Sequence, residues 1–520
     1  MPVARTHSIA LVGVEGHPVE IEVDIENGLP GLLLVGLPDT ALREARDRIR
    51  AAIINSGEHW PQHRVTVGLS PASLPKRGSG FDVGIAVAIL AAAGEVPAAA
   101  IDGVAFVGEL GLDGQLRPVR GMLPAVAGAA AAGFRQVAVA QANAAEAALV
   151  PGVRVLGAGT LRGLLGWFRG DPRSEARDPV EILEGGALPA QAVAAARPGG
   201  ARPDLADVLG QPTARRAAEI CAAGGHHLSL LGPPGAGKTM LAERIPTVLP
   251  RLDRAAALEV TSIHSVAGAL PAGRPLITDP PFCAPHHTAT KAAIVGGGSG
   301  VIHPGAASLA HRGCLFLDEA PEFGRDVLDA LRQPLESGEV MIARLGLTAR
   351  FPARFILVLA ANPCPCAKGP GPQAACSCTS AARRRYLARL SGPLLDRVDV
   401  KVEFLPVGRA ELLSDRKFAE SSAAVAVRVE EARQRAASRL KDTPWRLNAE
   451  IPGSELRRSF PPGPGALVPL ERAMDLGEIS ARGVHRVIRV SWTLADLAGV
   501  PKPTVAETGY ALALWLGVGR

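Results

Sequence analysis

The chain has 520 residues, a formal net charge of +6 and an apolar fraction of 47%. At ~100–200 residues per domain it is too long for a single core, and so weak a basicity permits a polyanionic partner without demanding one. Seven cysteines, four of them within residues 364–378, exclude a secreted disulfide framework; no stretch reaches the ~18–20 apolar residues of a membrane span, so a cytoplasmic protein without membrane contact is expected.

Residues 1–169 read as one α/β domain. Apolar runs predict strands at Ser8–Val14, Val19–Ile25, Leu32–Val35, Arg64–Leu69 and Val104–Gly108. Helical spacing covers Ala41–Ser56. Asp82–Ala93 is apolar on all sides, which predicts a buried helix, and an Ala-rich helix fills 121–132. Asp113-Gly114 marks a hairpin turn. Residues 170–203 change to Asp, Pro, Gly and Ala and read as a linker. Residues 204–405 alternate strands with helices, the pattern of a parallel sheet, clearest at Leu228–Leu231, Cys314–Leu317 and Arg354–Ala360. Residues 406–520 are almost free of strand patterns and predict a small helical domain.

Gly232-Pro233-Pro234-Gly235-Ala236-Gly237-Lys238-Thr239 fits the phosphate-loop pattern in full, between a strand and a helix. Its glycines let backbone N–H groups face phosphates, and the helix start adds positive potential. Lys238 is placed to reach the β- and γ-phosphates of ATP, and Thr239 to hold Mg²⁺. Cys314-Leu-Phe-Leu-Asp318-Glu319 ends a buried strand in two acids. Asp318 would position Mg²⁺ and Glu319 would orient the attacking water. Asn362, at the tip of a further apolar strand, either holds the same water or caps a turn. Cys364, Cys366, Cys376 and Cys378 form two C-x-C pairs, which reads as a structural Zn²⁺ site, with reduced thiols or a redox pair as the alternative.

The run Ala284-Pro-His-His-Thr-Ala-Thr-Lys-Ala-Ala-Ile-Val-Gly-Gly-Gly resembles the magnesium-chelatase-like AAA+ family that includes YifB and ComM. So do Ser308-Leu-Ala-His311-Arg-Gly-Cys, Ser391-Gly-Pro-Leu-Leu-Asp-Arg397-Val-Asp and the amino-terminal Gly31-Leu-Leu-Leu-Val-Gly-Leu-Pro-Asp-Thr. The resemblance covers nearly the whole chain apart from the linker. It implies a homo-oligomeric ring, a hexamer, with ATP at subunit interfaces. Arg397 then looks like the arginine finger, and Arg482 like the sensor arginine of the helical lid, with Arg486 its competitor. The insert at about 284–310 and the hairpin Glu339–Arg354 look like pore elements, with Lys291 and Arg344 as candidate DNA phosphate contacts; each could equally be a solvated charge. The family also carries cysteines where this chain does, which favours zinc.

The family's first domain resembles the proteolytic domain of Lon, which uses a Ser–Lys pair. Here Asp82 falls where the serine belongs and Leu123 where the lysine belongs. Ser79 and Lys76 lie nearby but need a register shift. A protease scaffold without a protease is therefore expected. Three functions compete: a DNA motor, driving branch migration in recombination as the ComM resemblance implies; a chelatase motor subunit serving a partner enzyme; and an ATP-dependent protease. The Asp82 and Leu123 positions count against the third. The Lon-like domain and the cysteine cluster count against the second.

Overall fold

The computed structural model describes residues 3–36, 39–76, 78–186, 203–271, 273–298, 302–344, 347–366, 368, 376, 378–408, 413–415 and 418–518. The amino-terminal strands are β1 (Ala4–Val12), β2 (Glu15–Glu26), β3 (Gly31–Val35), β4 (Arg64–Ser70), β5 (Val104–Val107), β6 (Glu109–Leu110), β7 (Leu116–Arg117), β8 (Gln136–Ala140), β9 (Arg154–Ala158) and β10 (Glu181–Glu184). Eight of them form a mixed sheet in the order β10-β9-β8-β5-β1-β2-β4-β3, while β6 and β7 pair as a hairpin around Asp113-Gly114. In β2, Val19, Ile21, Val23 and Ile25 are buried at a period of two, which fixes the face turned to the core. Helix Asp82–Ala92 is buried almost end to end, as its uniform apolarity requires.

The segment expected as a linker instead begins with secondary structure. Residues Pro172–Arg177 are helical, and β10 pairs antiparallel with β9, so the amino-terminal unit extends to about residue 186. The Glu-Ile-Leu-Glu run of β10 is too short to show a period. What places it there is the unpaired edge of β9, which offers backbone partners that no sequence pattern reveals. Residues 187–202 of that segment lie outside the described residues.

The second unit carries β11 (Leu228–Leu231), β12 (Phe282–Cys283), β13 (Cys314–Leu317), β14 (Glu339–Arg344), β15 (Leu347–Pro352), β16 (Ile356–Ala361) and β17 (Val400–Glu403). Five of these form an all-parallel sheet ordered β12-β13-β16-β11-β17. Both faces are covered, so its strands read as continuous apolar runs rather than alternations. The carboxy-terminal helices Ser422–Arg439, Val468–Asp475, Ala481–Ala498 and Val505–Leu516 pack onto one face, where Val425, Val429 and Trp492 share a core with Leu228, Leu230 and Val400.

The two units share a core as well. Ala257 and Leu276 of the second pack with Met122, Leu123 and Val126 of the first. The buried Glu146 carboxylate accepts from the Ser265 hydroxyl and from the Leu123 N–H at 2.8 Å. The β14–β15 hairpin rests its base, Ala349 and Phe351, against Val266 and the β1–β2 corner at Leu11, Val12 and Val14.

Candidate nucleotide site

The phosphate loop leaves the carboxy-terminal end of β11 and enters helix Lys238–Val248. A side chain at Gly232 would bring its Cβ within 2.5 Å of the Phe404 Cβ and 2.7 Å of the Phe404 carbonyl, so only glycine lets the loop lie against the next strand's exit. Gly235 and Gly237 take φ of +75° and +96°, the left-handed conformations that curl the backbone. Lys238 is 7% exposed and folds back over this loop. Its ammonium donates to the carbonyls of Gly232 at 2.7 Å and Pro233 at 2.8 Å, and to Asn362 Oδ1 at 3.1 Å. Burial lowers its pKa, while Asp318 and Glu319 oppose that shift.

Asp318 and Glu319 arrive at the end of β13. The Thr239 hydroxyl donates to Asp318 Oδ2 at 2.7 Å, so the two oxygens proposed for one cation already adjoin. The other Asp318 oxygen accepts the Glu319 N–H at 2.9 Å. Glu319 itself has φ of +50°, a left-handed conformation rare for any residue but glycine. Because β16 lies between β13 and β11, Asn362 at its tip stands between the acids and the lysine, which explains its bond to Lys238. Sequence reasoning did not single out His287. Its Nδ1 is 3.3 Å from Glu319 Oε2, and its ring lies against His286 with centroids 4.1 Å apart. Both histidines stand in the family-like run that begins at Ala284, four and five residues before Lys291, but only the adjacency of β12 to β13 brings one of them to the glutamate.

Arg397 and Arg482 are not at this end of the sheet. β17 runs parallel to β11 in the register Leu228 to Val400, so Arg397, just before β17, sits at the opposite edge from Gly232. Four strand residues at ~3.3 Å each separate the two edges by about 13 Å. The Arg397 side chain is buried, donating to the Pro393 carbonyl and paired with Glu336. A cavity of about 790 Å³ opens along the same edge, lined among others by His227, Glu336, Asp399, Arg482 and Arg486. Arg486 is engaged, bonding Asp399 at 2.6 Å and the Arg397 carbonyl at 2.7 Å. Burial alone would raise the Asp399 pKa, but Arg486 and His226 hold it well below the usual carboxylate range. Arg482, one turn earlier on the same helix, is exposed. The structure thus separates the two lid arginines by their partners.

Lys291 heads the short helix Lys291–Val295 and is exposed, as is Arg344 on β14. Insert and hairpin touch: Ile342 packs with the buried Ile294, and a Cβ at Gly296 would lie 2.9 Å from Ile342 Cδ1. The cysteines converge too. Cys364 and Cys366 sulfurs are 3.1 Å apart, Cys376 lies 3.3 and 3.5 Å from them, and all four sulfurs fall within 4.8 Å of one another. Four thiolates around Zn²⁺ at ~2.3 Å need sulfur separations of about 3.8 Å, which this cluster meets by small adjustments.

In the amino-terminal unit, Asp82 is buried and paired with Arg48 at 2.6 Å; burial pushes its carboxyl up to about 6 against the pull of that guanidinium. Leu123 is buried in the core shared by the two units. The Lys76 ammonium is spent on the carbonyls of Pro71 and Leu74, and the Ser79 hydroxyl donates to Glu109. No Ser–Lys pair exists at these positions.

Among the described residues no helix is long and apolar enough to cross a membrane. Residues 204–412 match the family described as magnesium chelatase, subunit ChlI; residues 21–143 match subunit ChlI of Mg-chelatase, and residues 419–514 its carboxy-terminal domain. An uncharacterized protein of Mycobacterium tuberculosis is 50% identical over 513 residues, covering 99% of this chain and 98% of that one. YifB of Escherichia coli, itself uncharacterized, is 41% identical over 498 residues, 96% of this chain and 94% of its own. The competence protein ComM of Haemophilus influenzae is 41% identical over 517 residues, 98% of this chain and 97% of its own. With a mixed α/β fold, a phosphate loop facing two strand-tip acids and end-to-end likeness to these relatives, the chain belongs to the magnesium-chelatase-like AAA+ ATPase family that includes YifB and ComM.

Proposed function

We propose that this chain is the subunit of a hexameric, ATP-hydrolysing ring that acts on single-stranded or branched DNA and drives branch migration of recombination intermediates. The observation that carries the ring is the division of the site: Lys238, Thr239, Asp318, Glu319 and Asn362 gather at one edge of the sheet, while Arg397 and Arg482 stand at the other. A finger at least ~13 Å from its own phosphates cannot serve its own subunit, and in the proposed ring it would serve the next. Thr239 and Asp318 are the residues that would hold Mg²⁺, which when bound with ATP would supply charge neutralisation at the phosphates. The protein's part is positional. Lys238 would exchange its carbonyl partners for phosphate oxygens, Glu319 would orient the water and Asn362 would steady it. Arg397 and Arg482 stabilise charge on the neighbour's transferring phosphoryl group.

The DNA reading draws support from Lys291 and Arg344, exposed on two elements that pack together, and from the competence role named for ComM. Phosphate contacts give affinity without base readout, so binding should be indifferent to sequence and weaken steeply with salt. The cysteine cluster is read as a zinc staple and the amino-terminal unit as a Lon-like scaffold without peptidase chemistry. The test is ATP hydrolysis with and without single-stranded, duplex and four-way-junction DNA at low salt, with junction dissociation followed in parallel. Stimulation with junction movement is expected. Lys291→Ala with Arg344→Ala should weaken DNA binding and flatten its salt dependence by about two phosphate contacts. Absence of any DNA binding would shift the reading to a chelatase-type motor serving a partner enzyme.

A further inference from the structure

The cavity of about 790 Å³ at the sheet edge opposite the phosphate loop carries more positive charge than its own acids balance. Its walls are the start of β16, helix Ser422–Arg439 through Arg433, the turn that holds Trp445, and helix Ala481–Ala498 through Arg489. Eight arginines line it, and five of them are matched by a carboxylate. Arg486 pairs with Asp399 at 2.6 Å, Arg312 with Glu259 at 3.1 Å and Arg354 with Glu450 at 3.4 Å. Arg446 and Arg251 lie 3.5 and 3.6 Å from Asp253 and Asp279. Arg433, Arg482 and Arg489 remain, and among the described residues no carboxylate stands within ion-pair distance of them. The acids of the lining are already engaged. One Glu450 oxygen takes Arg354, and the other accepts the N–H groups of Arg446 and Leu447 at 2.7 and 3.3 Å. Asp399 also accepts the His227 N–H at 3.0 Å, and Glu336 pairs with Arg397. Arg433 donates to the Ala222 carbonyl at 2.6 and 2.9 Å, and Arg489 to the Ile451 carbonyl at 2.7 Å. Burial pushes both guanidinium pKa values down to about 10. Cations withdrawn from water on neutral partners are costly unless an anion joins them. Trp445 adds an aromatic wall, half-buried and packed against the ATPase core.

We propose that this cavity is a second binding site, separate from the phosphate loop, for a small phosphorylated ligand of the nucleoside diphosphate class, its phosphates held by Arg433 and Arg489 and its base laid against Trp445. Guanidinium groups offer forked donors that match phosphate oxygens, and an indole face suits a flat heterocycle. The volume falls within the ~300–1,000 Å³ of small-molecule pockets. Arg482 is exposed and keeps its proposed part toward the neighbour's nucleotide; the ligand of this cavity belongs to Arg433 and Arg489. Those two stand on different helices of the carboxy-terminal unit, and the start of β16 forms the facing wall, so an occupant braces that unit against the sheet. The inference does not rest on the DNA-motor reading.

The test uses the full-length chain carrying Lys238→Ala, which should silence the phosphate loop, with ADP, pyrophosphate and a single-stranded oligonucleotide as probes. Equilibrium dialysis should find one ADP per chain in Lys238→Ala and two in the wild type. Adding Arg489→Gln should weaken both ADP and pyrophosphate by roughly tenfold or more. Adding Trp445→Leu should weaken ADP by roughly tenfold and leave pyrophosphate unchanged, a split that general loss of structure would not produce. ADP should also raise the Tm of Lys238→Ala, and much less so once Arg489→Gln is added. No ADP bound to Lys238→Ala, or binding that neither added substitution weakens, overturns the site. Displacement of ADP by the oligonucleotide at equal phosphate concentration overturns the small-ligand reading in favour of a nucleic-acid strand. If Lys238→Ala still binds two ADP, the Lys238 assignment is what fails, and Arg489→Gln and Trp445→Leu in the wild-type background decide the second site.

Discussion

Lys238 and Glu319 are proposed to do different work, and their variants should separate it. Lys238 is the buried cation of the loop, poised on two carbonyls that phosphate oxygens can replace. Lys238→Ala should abolish nucleotide binding. Glu319→Gln removes only a proton-accepting carboxylate and keeps the volume, so binding should persist while turnover falls by about 10²–10⁴-fold. Nucleotide affinity and steady-state hydrolysis measured on both variants check this, and normal turnover in Glu319→Gln would remove that residue from the site. The sequence spoke clearly for these two because phosphate chemistry demands particular residues at fixed spacing. It was silent on His287, whose only mark is nearness to Glu319 across a strand pair, and undecided between Arg482 and Arg486. Arg486 is bound to Asp399 and to the Arg397 carbonyl, which leaves Arg482 as the exposed group.

At the level of elements, the cysteine cluster and the hairpin show how local chemistry depends on what lies beside it. Cys364 comes two residues after Asn362, and Cys378 immediately precedes the turn into helix Ser380–Leu387, so a metal would staple the exit of β16 to that helix. One zinc per chain is expected in protein purified without chelator. A thiol-modifying reagent should release it, with local unfolding around residues 364–378 and little change in the remaining fold. Elemental analysis finding no zinc would leave the cluster as free thiols. The hairpin was legible from the sequence as a hairpin, but not its seat: Ala349 and Phe351 bury against the amino-terminal unit, so only its distal part, which carries Arg344, is free to meet a ligand. Strand β10 was missed for a related reason. Four residues with two glutamates carry no period, and the open edge of β9 supplied their place.

For the whole molecule, the decisive feature is that the phosphate loop and the strand-tip acids stand at one edge of the sheet and Arg397 at the other; in the proposed ring, one chain would then hold two halves of different active sites. Arg397→Ala should bind ATP normally yet lose about 10³-fold or more in hydrolysis. Mixed with Glu319→Gln subunits it should recover partial activity, because some interfaces then join an intact Glu319 to an intact Arg397. A fully active Arg397→Ala homo-oligomer would refute the assignment. The shared core of Ala257, Leu276, Leu123 and Val126 packs the amino-terminal unit directly against the ATPase unit. What the sequence determined by itself was everything written in short range: the phosphate loop, the acidic strand tip, the clustered thiols and the periods that make strands and helices. Those signals arise from bond geometry and from chemistry that tolerates few residue types. What only the tertiary structure decided was which edge of the sheet each group occupies, which arginine is spent on Asp399, and that His287 reaches Glu319. These depend on strand order and on packing between residues far apart in the chain, which no local pattern encodes.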